Sequence, residues 1–335
     1  MKKLAIIGGG LSGVYAATLL ETHYDVTLFE ARDRLGGRIH TIDGFDVGPS
    51  WVWPHQKRIL ALLHTLGVET FPHYQEGAAL YQTPHSVEQF TPSHSAPARR
   101  LKGGVQELIN QLKAQLNRTR IDLNTPITAL TYLADAVSLE SQQGTYCFDE
   151  VIVTLPPRLI IERLKFDPPL SSSTHASFQA IPTWMGHSAK CVIEFETPFW
   201  KERGLSGFCF SHLGPMGEIH DACIEGRYAL FGFIHAHANM ETIEHDVRQQ
   251  CQILFGKAAQ NVRNFYCLDW RKESYTAVAN DANGPKSHPN YGLHVTHFDG
   301  KIHFIGTETS FEEGGYLEGA IASVENLVKN GQAGN

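Results

Sequence analysis

Three glycines carry the first chemical signal in this chain. Gly8, Gly10 and Gly13 stand in the spacing G-x-G-x-x-G, directly after the β-prone run Leu4 to Ile7 and at the head of an apolar, helix-prone segment. The first permits a tight turn, the second lets backbone N–H groups approach a pyrophosphate, and the third lets a helix pack close to a strand. Glu30 follows at the end of a second strand-like run, Val26 to Phe29, where a carboxylate can accept hydrogen bonds from ribose hydroxyls. Arg34, Gly36, Gly37 and Arg38 then make a compact loop of cations and small residues suited to phosphate. A solvated charged turn has the same composition, and Arg34 fits either reading, whereas Arg38, immediately after the glycine pair, fits the phosphate role better. The chemistry implied is dinucleotide binding.

Such groups need elements to position them. The stretch KKLAIIGGGLSGVYAATLLETHYDVTLFE reads as strand, glycine turn, helix and strand, a βαβ unit. Helical spacing resumes in ILALLHTLGV and VQELINQLKAQL, and the strand-like DEVIVTLPP ends at Pro156 and Pro157, a natural exit from a first domain. The β-prone runs KCVIEFE, GFCFSHL and YALFGFI precede the helical HDVRQQCQILFG and predict a second, mixed domain inserted into the first. The closing IHFIGTET and LEGAIASVENLVKN predict a strand and helix that return to the first domain, since alone they could not bury their apolar faces. The expected division is 1–71, 98–158 and 265–335 for the dinucleotide-binding domain and 72–97 with 159–264 for the substrate domain. Residues 72–99, rich in His, Pro, Ser and Gly, read as an excursion.

Composition narrows the function classes. The chain has 335 residues, 42% hydrophobic and 19% charged, the balance of a globular enzyme with room for two domains. A formal net charge of -7 disfavours nucleic acid and anionic lipid as partners. The six cysteines are scattered without CxxC spacing and read as reduced thiols. His212, His220, His235 and His237 surround predicted strands without metal-ligand spacing, so no metal is expected. The apolar N-terminal run is broken by Gly8, Gly9 and Gly10, no run approaches the roughly 20 apolar residues of a membrane span, and the sequence closes in VKNGQAGN; a retained N-terminus and cytoplasmic residence are the expectation.

The segments GGGLSGVYAA, EARDRLGGR, KCVIEF with the following FW, DWRKESY and GTETSFEEGGYLEGA occur in the order found in flavin-containing amine oxidases. Across nearly its full length the chain resembles the monoamine oxidase and polyamine oxidase superfamily. The resemblance implies an α/β fold: a discontinuous doubly wound, Rossmann-like FAD-binding domain with an inserted mixed α+β substrate domain whose antiparallel sheet approaches the flavin. It places Gly8, Gly10, Gly13 and Glu30 at the adenosine and pyrophosphate, Arg38 by the pyrophosphate, and Gly48 and Trp51 alongside the isoalloxazine. It gives Ile127 a backbone contact to adenine and puts Glu308 near the ribityl and pyrophosphate region. Lys190 matches a lysine that holds a water near flavin N5, although AKCVIEF read by itself is an amphipathic strand with a lysine at its polar end. Trp270 and Tyr275 match an aromatic segment that flanks the flavin, with Glu273 at a structural acidic position. Tyr316 supplies one of two cage tyrosines, and Asn280 stands where the other is expected, opposite it. Ala279 occupies the place of the cysteine in covalently flavinylated members, so noncovalent FAD is implied. Gly314 and Gly315 would permit close backbone approach, and Leu317 would open a helix whose N-terminal amides support the flavin pyrimidine edge.

The reaction implied is hydride transfer from the carbon next to an amine to flavin N5, giving an imine, followed by reoxidation by O2 with release of hydrogen peroxide. No side chain need act as a general base. Three other readings stand beside it: a dehydrogenase or desaturase with another electron acceptor, an L-amino-acid oxidase with Arg227 as the candidate for the substrate carboxylate, and a catalytically quiet dinucleotide-binding scaffold. Glu312 and Glu313 would bind the distal ammonium of a diamine or polyamine if either points inward; adjacent acids on a turn are more commonly solvated. The second domain is short, which predicts a pocket that is open or is completed by a second subunit, as in a homodimer.

Overall fold

The computed structural model describes residues 1–92, 98–285 and 287–332. Its first organising feature is a six-stranded sheet in the order Thr296–His297, Ile302–Phe304, Glu150–Val153, Lys3–Ile7, Asp25–Phe29 and Arg120–Asp122. All neighbours pair in parallel except the short outermost Thr296–His297. The interior strands are apolar on both sides, as a sheet covered on both faces requires. Ile7 is in register with Phe29, and the Gly8 N–H donates to the Phe29 carbonyl at 2.8 Å, so the chain turns into its first helix at the edge the second strand also reaches.

Helices Leu11–Leu20, Gln106–Gln115 and Leu317–Gln332 cover one face, joining Leu4, Ile6, Val14, Leu108 and Ile321 in one core. The other face departs from the doubly wound expectation. It is covered mainly by a four-stranded sheet, Gly144–Phe148, Val137–Ser141, Ile127–Tyr132 and Lys165–Asp167, whose Leu130, Leu139 and Phe148 pack on Ile7, Phe29 and Val153. Two short helices add Ile160 and Phe178 to that core, with Ile161 packed against it. The hairpin formed by VSLES and GTYCF turns its apolar residues toward the sheet and leaves no room for a second full helical layer.

A seven-stranded sheet forms the second body, in the order Val262–Asp269, Ala189–Phe195, Tyr228–Ile234, Met216–Asp221, Leu205–Ser211, Ala78–Gln82 and Val87–Phe90. All its pairings are antiparallel except Ala78–Gln82 with Leu205–Ser211. The central strand Ala189–Phe195 is buried along its whole length. Cys191 and Ile193 pack with Val247 and Cys251 of helix Ile243–Phe255, while Val192 joins Phe45, Val47 and Phe231 on the opposite side. Two segments cross the expected domain division: Lys165–Asp167 pairs with Ile127–Tyr132, and Val262–Asp269 lies wholly in the seven-stranded sheet. The excursion at 72–99 contains the hairpin of that sheet, and its residues 93–97 lie outside the described residues. No helix among the described residues is long and apolar enough to cross a membrane.

Candidate active site

The glycine turn opens on a cavity of about 790 Å³, within the range of roughly 300–1,000 Å³ typical of ligand sites. Its three glycines are needed for different reasons. Gly8 has φ +108°, and a Cβ there would meet Thr154 Oγ1 at 2.5 Å. A Cβ on Gly13 would overlap the Gly8 carbonyl oxygen, the close helix–strand approach expected of the third position. Gly10 is different: a Cβ there would meet no protein atom within 4 Å, and the residue faces the cavity with Leu11 and Ser12. The first-turn N–H groups of helix Leu11–Leu20 have no intrahelical partners and no side-chain cap, so the helix presents donors to an anion at this wall.

Glu30 is buried and also lines the cavity. Its Oε2 accepts the Gly9 N–H at 2.7 Å and its Oε1 the Arg32 N–H at 2.8 Å, which fixes the carboxylate rigidly. Arg32, which the sequence reading passed over, lines the same wall; its guanidinium donates to Thr276 Oγ1 at 2.7 Å and reaches Glu273 at 3.3 Å. Tyr275 lies under that guanidinium, 5.6 Å from ring centroid to Arg32, so it belongs to the Glu30 end of the cavity and not to a wall around Lys190. Arg34 does not line the cavity. Its guanidinium donates to the carbonyls of Ile39 at 2.9 Å and Gly37 at 3.0 Å, bracing the loop from behind, because the bends after Glu30 turn it away from the side that Arg32 faces. The signal for Arg32 was available in EARDR, as the first cation after the acid.

Gly36, Gly37 and Arg38 line the cavity. Arg38 forms a two-pronged pair with Glu308, at 2.5 and 2.9 Å, and also donates to the Trp184 carbonyl at 3.0 Å. Glu308 is buried and accepts the Trp184 N–H at 3.1 Å, but it is absent from the cavity wall. Its carboxylate thus meets the cavity-lining Arg38, whose charge it neutralises, rather than the cavity itself. Ile127 faces the cavity at the first position of its strand, and Leu317 does so at the start of the last helix.

Lys190 is 3% exposed and lines the cavity from the seven-stranded sheet. Its ammonium donates to the Gly48 carbonyl at 2.9 Å and Ser50 Oγ at 2.5 Å and lies 4.1 Å from the Phe231 ring centroid. Burial pushes its pKa down to about 7, against a smaller opposing pull from the charge of Asp46. Gly48 can accept this contact because its backbone runs tightly along that of Arg38, where a Cβ would overlap the Arg38 carbonyl. Trp51 packs edge-on against His220 at 4.8 Å, and its indole N–H is buried without a partner among the described residues. Trp270 donates its indole N–H to the Val47 carbonyl at 2.9 Å, which fixes its ring on the wall.

Tyr316 faces the cavity as expected, but Asn280 is not opposite it. Asn280 is exposed in the one-turn helix Ala279–Asp281, where its carbonyl accepts from Arg158 at 3.0 Å. The ion pair of Arg158 with Asp281, at 2.8 Å, draws that turn away from the cavity, and Ala279 goes with it. Aromatic rings flank Tyr316 instead: Trp53 at 5.5 Å nearly perpendicular, Trp184 at 5.9 Å, and the exposed His288 stacked at 5.2 Å. Trp53 was legible as the second tryptophan of WVW, two residues along an extended segment from Trp51; Trp184 had no local signal.

Three charged candidates are placed elsewhere. Glu312 forms a two-pronged pair with Arg58, and Glu313 meets Gln56 at 3.2 Å; neither lines the cavity. Arg227 is held by Glu194 through two contacts of 2.7 Å, also off the cavity wall, so the carboxylate-binding reading lacks its arginine. No group of three or more metal-ligating side chains occurs among the described residues.

One cavity thus joins a glycine-rich anion-binding turn and an acid-fixed loop to a buried lysine and an aromatic wall, the arrangement of a dinucleotide-dependent oxidoreductase. The chain belongs to the flavin containing amine oxidoreductase family, whose model matches it over residues 11–97 and 84–326. It is a flavin-dependent enzyme of the amine-oxidising kind. It is 24% identical to amine oxidase [flavin-containing] A of Bos taurus over 449 aligned positions, covering 98% of this chain and 84% of that one. Putrescine oxidase of Kocuria rosea is 23% identical, with 96% of this chain and 93% of the relative covered. Among solved structures, cyclohexylamine oxidase from Brevibacterium oxydans IH-35A superposes with a TM-score of 0.82 at 19% identity, covering 98% of each chain. Wild-type putrescine oxidase bound to putrescine gives 0.80 at 20% identity, covering 99% of each.

Proposed function

We propose that the chain binds FAD noncovalently and oxidises a small amine, with O2 as the electron acceptor. The observation that carries this reading is that the glycine turn and Lys190, from two different sheets, open on the same cavity, with Tyr316, Trp53 and Trp184 lining it. The residues present suit the cofactor. Gly10 leaves backbone open where a pyrophosphate must approach, Gly37 runs close against it, Arg32 and Arg38 supply cations, and among the described residues no cysteine lines the cavity for a covalent link. The six-stranded sheet with its helices and four-stranded layer would hold the cofactor, and the seven-stranded sheet would form the substrate side.

When bound, FAD supplies the two-electron acceptor that takes a hydride equivalent from the carbon next to the amine, leaving an imine, and its return to the oxidised form by O2 yields hydrogen peroxide. The protein's part is placement and electrostatics. Tyr316, Trp53 and Trp184 desolvate the reacting nitrogen, which lowers an amine pKa and favours the neutral form without a general base. Lys190, held by Gly48 and Ser50, keeps a proton-bearing nitrogen at the cavity wall, where it would stabilise the negative charge that develops on O2.

Anaerobic mixing of the FAD-loaded protein with a panel of primary amines and amino acids, followed by O2, tests the reading. Rapid bleaching of the flavin absorbance by an amine and stoichiometric peroxide on aeration are expected. Bleaching without peroxide, with fast turnover of an artificial acceptor, would assign the chain to the dehydrogenases; no bleaching by any amine would remove the amine-oxidising reading.

A further inference from the structure

The six cysteines are scattered along the sequence, but the seven-stranded sheet sets two of them side by side. Strand Val262–Asp269 lies at the edge of that sheet and pairs antiparallel with Ala189–Phe195, with Cys267 directly opposite Cys191. Residues directly opposite in such a pair project to the same side. Lys190 faces the cavity, and the next residue along a strand points the other way, so the two thiols share the side remote from the cavity. Cys191 is accordingly buried in the core that helix Ile243–Phe255 completes, and the half-buried Cys267 packs against the same core.

The hydrogen-bond phase of the ladder decides how close the pair comes. The Trp270 N–H donates to the Ser188 carbonyl at 3.1 Å, just beyond the last paired residues, Ala189 and Asp269. Every second N–H of the edge strand then points at its neighbour, those of Leu268 and Tyr266 included. Cys267 falls between them, so Cys191 and Cys267 are a non-hydrogen-bonded pair, the kind with Cα atoms about 4.5 Å apart. A disulfide spans Cα separations of roughly 4.4–6.8 Å. No other two cysteines face each other across a strand pairing among the described residues: Cys147 is opposite Ser138, Cys209 is opposite Ile219, and Cys251 is on the facing helix.

We propose that Cys191 and Cys267 are a peroxide-modification site, joined as a disulfide by hydrogen peroxide that this enzyme releases. The proposal rests on the amine-oxidising reading above, which supplies the oxidant. Cys267, the more accessible sulfur, attacks one peroxide oxygen; the O–O bond breaks, the departing hydroxide takes the thiol proton as water, and the sulfur becomes a sulfenic acid. The Cys191 sulfur then displaces the sulfenic hydroxyl, which leaves with the Cys191 proton as a second water. In all, the two thiols give up two electrons and two protons, and one peroxide becomes two waters. Burial pushes the Cys267 thiol up to about 11 and raises Cys191 well above its ordinary value, so little thiolate is present at neutral pH. The bond therefore accumulates over sustained turnover and not in a brief pulse of peroxide. Once made, it ties the edge strand that leads to Trp270 to the strand that carries Lys190.

The test maps all six cysteines of the FAD-loaded protein after turnover in air of an amine that bleaches the flavin, after the same turnover with catalase, and after added hydrogen peroxide without amine. The treated protein is unfolded in an alkylating reagent, digested and read by mass spectrometry. Loss of two of the six thiols is expected, with a Cys191–Cys267 linked peptide that dithiothreitol removes and that catalase prevents during turnover. In Cys191→Ser, Cys267 should instead carry a sulfenic acid that a dimedone probe traps; in Cys267→Ser, Cys191 should stay a thiol. Both cysteines alkylated after peroxide, or Cys267 linked to any other cysteine, would overturn the assignment while leaving amine oxidation intact. A link that forms equally with catalase present would overturn released peroxide as the oxidant. If no amine is turned over, the functional reading fails separately, and the added-peroxide sample still decides the site: the linked peptide supports it, and two alkylated thiols overturn it.

Discussion

At the scale of single residues, Lys190 combines burial with function and makes both measurable. The unfolded chain holds a lysine proton to about pH 10.4, whereas the folded protein releases it near 7. Between those values the unfolded state binds more protons, so the contribution of Lys190 to stability rises with pH across that window. Below about 7 the cost of the buried ammonium is fully present. The thermal midpoint of Lys190→Met relative to wild type should therefore be most favourable near pH 6 and least favourable near pH 10; a pH-independent difference would contradict the assignment. The same variant should slow the step that consumes O2 by roughly 10²-fold while amine-dependent bleaching persists, as stopped-flow absorbance can separate. Tyr316 tests the wall. Its hydroxyl has no hydrogen-bond partner among the described residues, so Tyr316→Phe should bleach with amine at a near-normal rate. Tyr316→Ala, which removes the ring facing Trp53, should lose about tenfold, in line with aromatic contacts of roughly 0.5–1.5 kcal/mol.

At the scale of elements, the glycine turn separates folding from binding within six residues. Gly13→Ala forces a methyl into the Gly8 carbonyl and must displace helix Leu11–Leu20, so a loss of thermal stability with or without FAD is expected. Gly10→Ala meets no protein atom, and Gly10 has φ -74°, which alanine adopts freely. Its apoprotein should melt within a few degrees of wild type while FAD affinity falls, measured by titration of flavin fluorescence. Equal FAD affinity in Gly10→Ala would mean that the cofactor does not approach this turn. The strand–helix pattern was readable here because each short run carries its own period. The covering of the other sheet face was not, since alternating apolar residues in VSLES and GTYCF define a hairpin but not the surface on which it lies.

At the scale of the whole molecule, the Arg38–Glu308 pair ties the glycine loop, the segment around Trp184 and the approach to the last helix together. Glu308→Gln leaves Arg38 without its counter-charge. Because Arg38 is 25% exposed to the cavity, the loss should fall somewhat below the 3–5 kcal/mol of a fully buried broken pair, at about 2–3 kcal/mol. Denaturant unfolding of the apoprotein measures it, and excess FAD should restore part of the stability by mass action if phosphate partners Arg38. The sequence by itself determined the βαβ turn, its acid, the strand that carries Lys190 and the kinship, because each is written in neighbouring residues. The tertiary structure alone decided that Arg32 faces the cavity while Arg34 does not, that Asn280 is drawn out by Arg158, and that Trp184 and Glu218 line the same cavity as Lys190 and Tyr316. Those choices depend on strand register and on charge pairs between residues more than 100 positions apart, such as Arg158 with Asp281, which no local pattern contains.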